Sequence, residues 1–137
     1  CGGHKARQSL TNSFAQAAQE NRSVLIYPEG HLVKIGERIK YRSGVWHLQE
    51  ACGWPVVPMA TNLGLFWSCE DFKKEQGEAI NEVLEPIPAG LPRDEFMAHL
   101  EAALNEGSKR LCEEGQKNQP YLSQAQITWP DGINSVR

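Results

Sequence analysis

Two uninterrupted apolar runs, Val24-Leu25-Ile26-Tyr27 and Val56-Val57-Pro58-Met59-Ala60, constrain this chain more than any other feature. A strand with one wet face alternates apolar and polar residues, whereas a strand apolar at every position asks to be covered on both faces. The segment between the runs carries a helical pattern. In SGVWHLQEACG, Val45, Leu48 and Cys52 share one helical face, and Gly53 is a natural C-terminal stop. Ahead of the first run, Ala6, Leu10, Phe14 and Ala17 recur at helical spacing and predict an amphipathic helix ending near Asn21. Helix, strand, helix, strand, with strands this apolar, predicts an α/β domain: a mostly parallel sheet flanked by helices. Pro55 falls near the entry of the second strand, and Pro58 where a ladder donor is dispensable.

Beyond the second strand the pattern loosens. LGLFWSCEDFKKEQG reads as a loop with aromatics, and EAINEVLEPIP as a strand with imperfect alternation that leaves the sheet at Pro86-Ile87-Pro88. LPRDEFMAHLEAALNEGSKRLCEEG is the plainest helix. Phe96, Leu100, Leu104 and Leu111 mark its buried face, Pro92 and Asp94-Glu95 suit its first turn, and Lys109-Arg110 suit its last. The remaining QKNQPYLSQAQITWPDGINSVR is polar and broken by Pro and Gly, which predicts a loop or a loosely docked extension.

Composition limits the partners. The 137 residues are 40% hydrophobic and carry a formal net charge of -3, so a core can form and no global basic field exists to hold nucleic acid. Any anion site has to be local. Cys1, Cys52, Cys69 and Cys112 are widely spaced, without a C-x-x-C pair or a neighbouring His cluster, which points away from zinc and redox chemistry and fits a reducing cytoplasm. No stretch reaches the roughly 18 to 20 consecutive apolar residues of a membrane-spanning helix. The chain opens on Cys1 rather than Met and has no signal-peptide pattern, so it is read as N-terminally truncated.

The local candidate is YPEGHLVKIGERIKYRSG, where the first apolar run ends in Pro28-Glu29-Gly30 and gives way to Lys34, Arg38, Lys40 and Arg42. A carboxylate at a strand end facing several cations is an arrangement that handles an anionic substrate, although an ordinary strand exit looks much the same. Glu29 cannot grip a phosphate without a cation between them. It serves better as acceptor for a hydroxyl or as a partner that positions an Arg. Gly30 lets the backbone approach a ligand closely.

Together with YRSGVWHLQEACGWPVVPMATNLGLFW and GEAINEVLEPIPAGLPRDEFMAHLEAAL, this block resembles the C-terminal two-thirds of the lysophosphatidate acyltransferase family, bacterial type. The similarity runs from about Ser23 to Leu104. It implies a glycerophospholipid acyltransferase-like fold with a seven-stranded-type sheet, a partial acyltransferase domain at 1–115 and a polar C-terminal extension at 116–137. It also implies a reaction: an acyl group moves from acyl-CoA or an acyl-carrier protein thioester to lysophosphatidate, giving phosphatidate, at the cytoplasmic face of the cell membrane. The acyl donor is a co-substrate, and neither a cofactor nor a metal is implied. The partners implied are a lysophospholipid acceptor, the donor thioester and a peripheral membrane surface, with no nucleic acid.

Carried over residue by residue, the resemblance makes Glu29, Gly30, His31, Lys40 and Arg42 the substrate-binding set, with KYRSG matching a basic-aromatic-basic-x-Gly block. Pro55 and Pro58 match the strand that walls the acyl or acceptor pocket. Leu65, Phe66 and Trp67 either line an acyl pocket, meet a membrane surface or serve as core. Trp46-His47 reads as packing. The family's catalytic H-x4-D, in which His deprotonates the acceptor hydroxyl and Asp orients it, is absent: the residues five positions after His4, His31, His47 and His99 are Ser9, Gly36, Cys52 and Leu104. His31-Leu32 also replaces the family's Thr-Arg, which removes one bidentate phosphate contact and leaves Lys34, Arg38, Lys40 or Arg42 to supply it. Three functions stay open: the acceptor-binding part of an O-acyltransferase, a non-catalytic lipid- or anion-binding relative, and a carboxylate-dependent hydrolase built on Glu29. The last requires a second carboxylate, and no Asp or Glu has a spacing that supplies one.

Overall fold

The computed structural model describes residues 3–37, 39–67 and 74–119, with side chains for all of these except 3–7 and Leu10. Cys1, Arg38, Cys69 and the tail from Pro120 lie outside the described residues, as do the side chains of Ala6 and Leu10. Among the described residues, three helices and two short strands follow in the order α1 (Gly3–Gln19), α2 (Gly44–Cys52), β1 (Met59–Thr61), β2 (Asn81–Val83) and α3 (Arg93–Asn118), with a 3-10 turn at Leu63–Leu65.

The helix ends follow from local chemistry. Asn21 adopts the left-handed conformation, φ 51°, and so stops α1. The Arg22 N–H then donates to the Ala17 carbonyl at 2.8 Å and the Asn21 N–H to the Ala18 carbonyl at 3.1 Å, a double closure that satisfies carbonyls the helix leaves open. Gly53, φ 69°, does the same for α2, its N–H donating to the Gln49 carbonyl at 2.7 Å. Among the described side chains of α1, Phe14 and Ala17 are buried, and the helix packs against α2. The α3 helix starts behind Pro92, with Asp94 and Glu95 in its first turn, and runs past Gly115 to Asn118. Lys109 and Arg110 are therefore mid-helix rather than terminal, because Gly115 packs against Leu65 and Asn62 instead of breaking the helix.

β1 and β2 pair antiparallel, Met59 with Val83, Ala60 with Glu82 and Thr61 with Asn81. The Leu84 N–H extends the ladder to the Pro58 carbonyl at 2.9 Å, and Val56 and Ile87 exchange both backbone bonds at 3.0 and 2.7 Å. Between these pairings one residue, Val57, faces two, Glu85 and Pro86. This is a β-bulge, and it falls where Pro86 has no N–H to offer a ladder. The same economy explains Pro55 and Pro58: the bonds run through Val56 and through the Pro58 carbonyl, so neither proline nitrogen is needed.

The first apolar run forms no ladder among the described residues, where the sequence predicts a strand in a mostly parallel sheet. Ile26 packs against the core of Val45, Ile87, Phe96 and Leu100, alongside Val56. Leu25 and Tyr27 stay 68% and 71% exposed. On the hairpin, α3 lies over the face that carries Ala60: Ala60 is fully buried, and a Cβ on Gly107 would stand 2.7 Å from the Ala60 Cβ. The cross-strand pair Met59 and Val83 is exposed on the other face.

Candidate functional site

The turn that follows the first apolar run is built from Tyr27 to Gly30. The Gly30 N–H donates to the Tyr27 carbonyl at 3.2 Å, and Gly30 takes φ 74°, a conformation that a side chain would strain. The segment that carries Lys40 and Arg42 returns to this turn. The Arg42 N–H donates to the Pro28 carbonyl at 2.9 Å, and the Arg42 side chain lies directly over Gly30, where a Cβ would come within 2.5 Å of Nε. Glycine is thus required twice here, by its φ and by the guanidinium resting on it.

Glu29 is half-buried, and burial raises its carboxyl above the ordinary carboxylate range, an effect that nearby His31 partly offsets. The structure therefore brings together four of the five expected binding residues: Glu29, Gly30, His31 and Arg42. Lys40 is exposed, and no bond among the described residues ties it to the turn. Leu32 is 83% exposed at the turn's edge. Farther along the loop, the ideal Cβ position of Gly64 lies 2.7 Å from Ile35 Cγ1, so the loop rests on the 3-10 turn.

Three residues outside the expected set complete the neighbourhood. Tyr41, between Lys40 and Arg42, is buried, and its hydroxyl donates to Asn105 Oδ1 on α3 at 3.2 Å. Its phenol is pushed up to about 12, first by burial and then by the carboxylates of Glu29 and Glu101. Glu101 and Asn105 stand one helical turn apart on α3 and so share a stripe. Neither residue is named in the sequence reading of this helix. One signal was there: Asn is a weak helix former, and Asn105 sits in the interior of a 26-residue helix. Glu101 and Glu29 both bear on the buried Tyr41 phenol.

The remaining candidates separate from this cluster. Pro55 is exposed and Pro58 buried, both in the backbone arrangement already described. Leu65, Phe66 and Trp67 divide. Leu65 packs on Gly115, Phe66 is buried against Gly77, and Trp67 stays 57% exposed under the Lys74 ammonium, 4.3 Å from the ring centroid. Trp46 and His47 meet edge to face at 5.0 Å, and Trp46 Nε1 donates to the Leu91 carbonyl at 3.1 Å. A separate cleft of about 350 Å³ between α2 and the Pro88–Leu91 turn includes Trp46, Gln49 and Leu91 but none of the expected binding residues. Gln49 is committed there, its amide donating to the carbonyls of Ile87 and Pro88 at 3.3 and 3.2 Å. Among the described residues no group of His, Cys, Asp and Glu could hold a metal ion, and no helix is long and apolar enough to cross a membrane.

Over 119 residues, 87% of its length, the chain is 27% identical to the 1-acyl-sn-glycerol-3-phosphate acyltransferase of Pseudomonas aeruginosa. The chain is a distant relative of that acyltransferase. It spans 41% of the relative's length. No family model and no solved structure matches. The match runs through most of the chain, the Pro28-Glu29-Gly30 turn and the segment returning to it included.

Proposed function

We propose that this chain is the acceptor-binding part of an O-acyltransferase that moves an acyl group from acyl-CoA or an acyl-carrier protein to lysophosphatidate, forming phosphatidate in phospholipid biosynthesis. In that reaction the acceptor oxygen bonds to the thioester carbonyl carbon, the carbon–sulfur bond breaks, and the thiol leaves with the proton that the hydroxyl gives up. The observation that carries the reading is the Arg42 guanidinium lying over Gly30, the residue that follows half-buried Glu29. Arg42 supplies a planar fork for the acceptor phosphate. His31 stands beside Glu29 as a second polar group, and the Glu29 carboxylate accepts a hydrogen bond from a glycerol hydroxyl. Deprotonating that hydroxyl during attack requires a general base, and no H-x4-D is present in these 137 residues to provide one. The chain by itself is therefore expected to bind acceptor without turning it over, at the cytoplasmic face of the membrane where acceptor and donor meet.

Titration of the chain with lysophosphatidate tests this reading. Arg42→Ala is expected to weaken binding about tenfold or more, the scale of one charge-assisted bidentate contact, and Glu29→Ala to weaken it less. Equal affinity for parent and Arg42→Ala overturns the assignment. The missing base favours a second reading, a lipid- or anion-binding relative without catalysis. An acyl-transfer assay on the full-length protein separates the two: turnover that a His→Ala change in an upstream H-x4-D abolishes supports the acyltransferase, and binding without turnover supports the relative.

A further inference from the structure

Arg42 reaches the turn on a long, flexible side chain and makes no ion pair among the described residues, so its placement depends on how its backbone is held. Two bonds hold it. One is local, from the Arg42 N–H to the Pro28 carbonyl at 2.9 Å. The other crosses 64 residues of chain, from the hydroxyl of the adjacent Tyr41 to Asn105 Oδ1 at 3.2 Å. Asn105 belongs to α3, which Phe96, Leu100, Leu111 and Cys112 anchor in the interior. The 39–42 segment is thus tied to the turn at one residue and to the most firmly packed helix at its neighbour.

From this geometry we infer that Tyr41 is a positioning residue for acceptor binding, fixing the Arg42 guanidinium over Gly30 through its bond to Asn105. The inference rests on the acceptor reading above. Burial alone would be served as well by Phe, since the ring fills the same space. What the hydroxyl adds is one directional bond, and leaving either partner without it inside the protein is costly. A phenol keeps its proton, and so its role as donor, throughout the neutral range, and burial with the two nearby carboxylates pushes this one further, to about 12. Asn105 is the counterpart: an amide in a helix interior, where Ala or Leu is intrinsically better, is explained by the partner it accepts from.

Glycerol 3-phosphate is a suitable probe because it carries the acceptor headgroup without forming micelles. Tyr41→Phe is expected to raise its dissociation constant about five- to tenfold, the scale of one intramolecular hydrogen bond, and Asn105→Ala to do the same from the other side. The Arg42 Nε–H signal in a nitrogen-15 NMR spectrum, which a merely structural role would leave in place, is expected to lose its dispersed position in both variants. Unchanged affinity, or weakened affinity with the Arg42 signal unmoved, overturns the inference. Should Tyr41→Phe not fold, Asn105→Ala gives the same two readings. If the parent does not bind glycerol 3-phosphate, or Arg42→Ala binds it as the parent does, the acceptor reading falls and the inference with it. Loss on Arg42→Ala without loss on Tyr41→Phe or Asn105→Ala overturns the inference alone.

Discussion

The runs Val56 to Ala60, under α3, and Val24 to Tyr27 are both apolar, yet the first is closely packed on one face and the second is largely bare. Where α3 crosses β1, Gly107 lets the helix approach Ala60 so closely that a Cβ would collide. Asn62, fully buried just beyond β1, accepts from the Ile80 N–H at 2.7 Å and donates to the Glu78 carbonyl at 3.4 Å, which pins the segment leading into β2. On the surface, Arg110 bridges α3 to Glu82 on β2. Along 24–32 only Ile26 reaches the core, while Leu25, Tyr27 and Leu32 face solvent. The contrast teaches that apolar character alone does not organise a segment. A partner of matching shape does, and here α3 supplies one for the hairpin. The turn at Tyr27 to Gly30 is fastened to α3 more sparingly, through the polar link of Tyr41 to Asn105.

The contrast can be broken most forcefully at Phe96, which is fully buried in the core. Phe96→Ala is expected to lower stability by about 3–5 kcal/mol, read as a shift of the urea midpoint. A loss under about 1 kcal/mol would show that the α3 side is no better packed than the other. A middle effect is expected at Glu29. Its folded carboxyl titrates above its unfolded value, so the folded state binds more protons across that window and stability falls as pH rises through it. Glu29→Gln should therefore raise the thermal midpoint at pH 7, with the gain fading as pH falls toward 4.5, the ordinary value of the group, and gone below it. A midpoint lowered at pH 7 would mean that the carboxylate is held by a favourable partner rather than desolvated. The smallest effect belongs to Leu25→Ser, expected to stay within about 0.5 kcal/mol because the side chain is exposed. A markedly larger loss would show that this run is covered in solution and that the two regions are alike.

Much of the helical framework was legible in the chain. The α2 stop at Gly53, the α1 end near Asn21 and the α3 face of Phe96, Leu100 and Leu111 all follow from short-range spacing and from residues that tolerate left-handed backbone. The end of α3 was not legible, because Gly115 reads as a breaker until Leu65 is found packed against it. The antiparallel pairing of Met59 with Val83 and the bulge at Glu85-Pro86 depend on contacts across some 20 residues, and alternation in EAINEVLEPIP was too imperfect to announce them. Of the binding set, Glu29, Gly30, His31 and Arg42 come together as their clustering in sequence suggests.

By itself, then, the sequence determined the helices, the prolines that need no ladder bond, and the Pro28-Glu29-Gly30 turn, since each depends on residues within a few positions of one another. Only the tertiary structure decided which apolar residues are covered, which cation rests on Gly30, and that Tyr41 meets Asn105. The physical reason is range. Backbone propensity and capping act over one turn, whereas burial and a hydrogen bond spanning 64 residues exist only once α3 has packed.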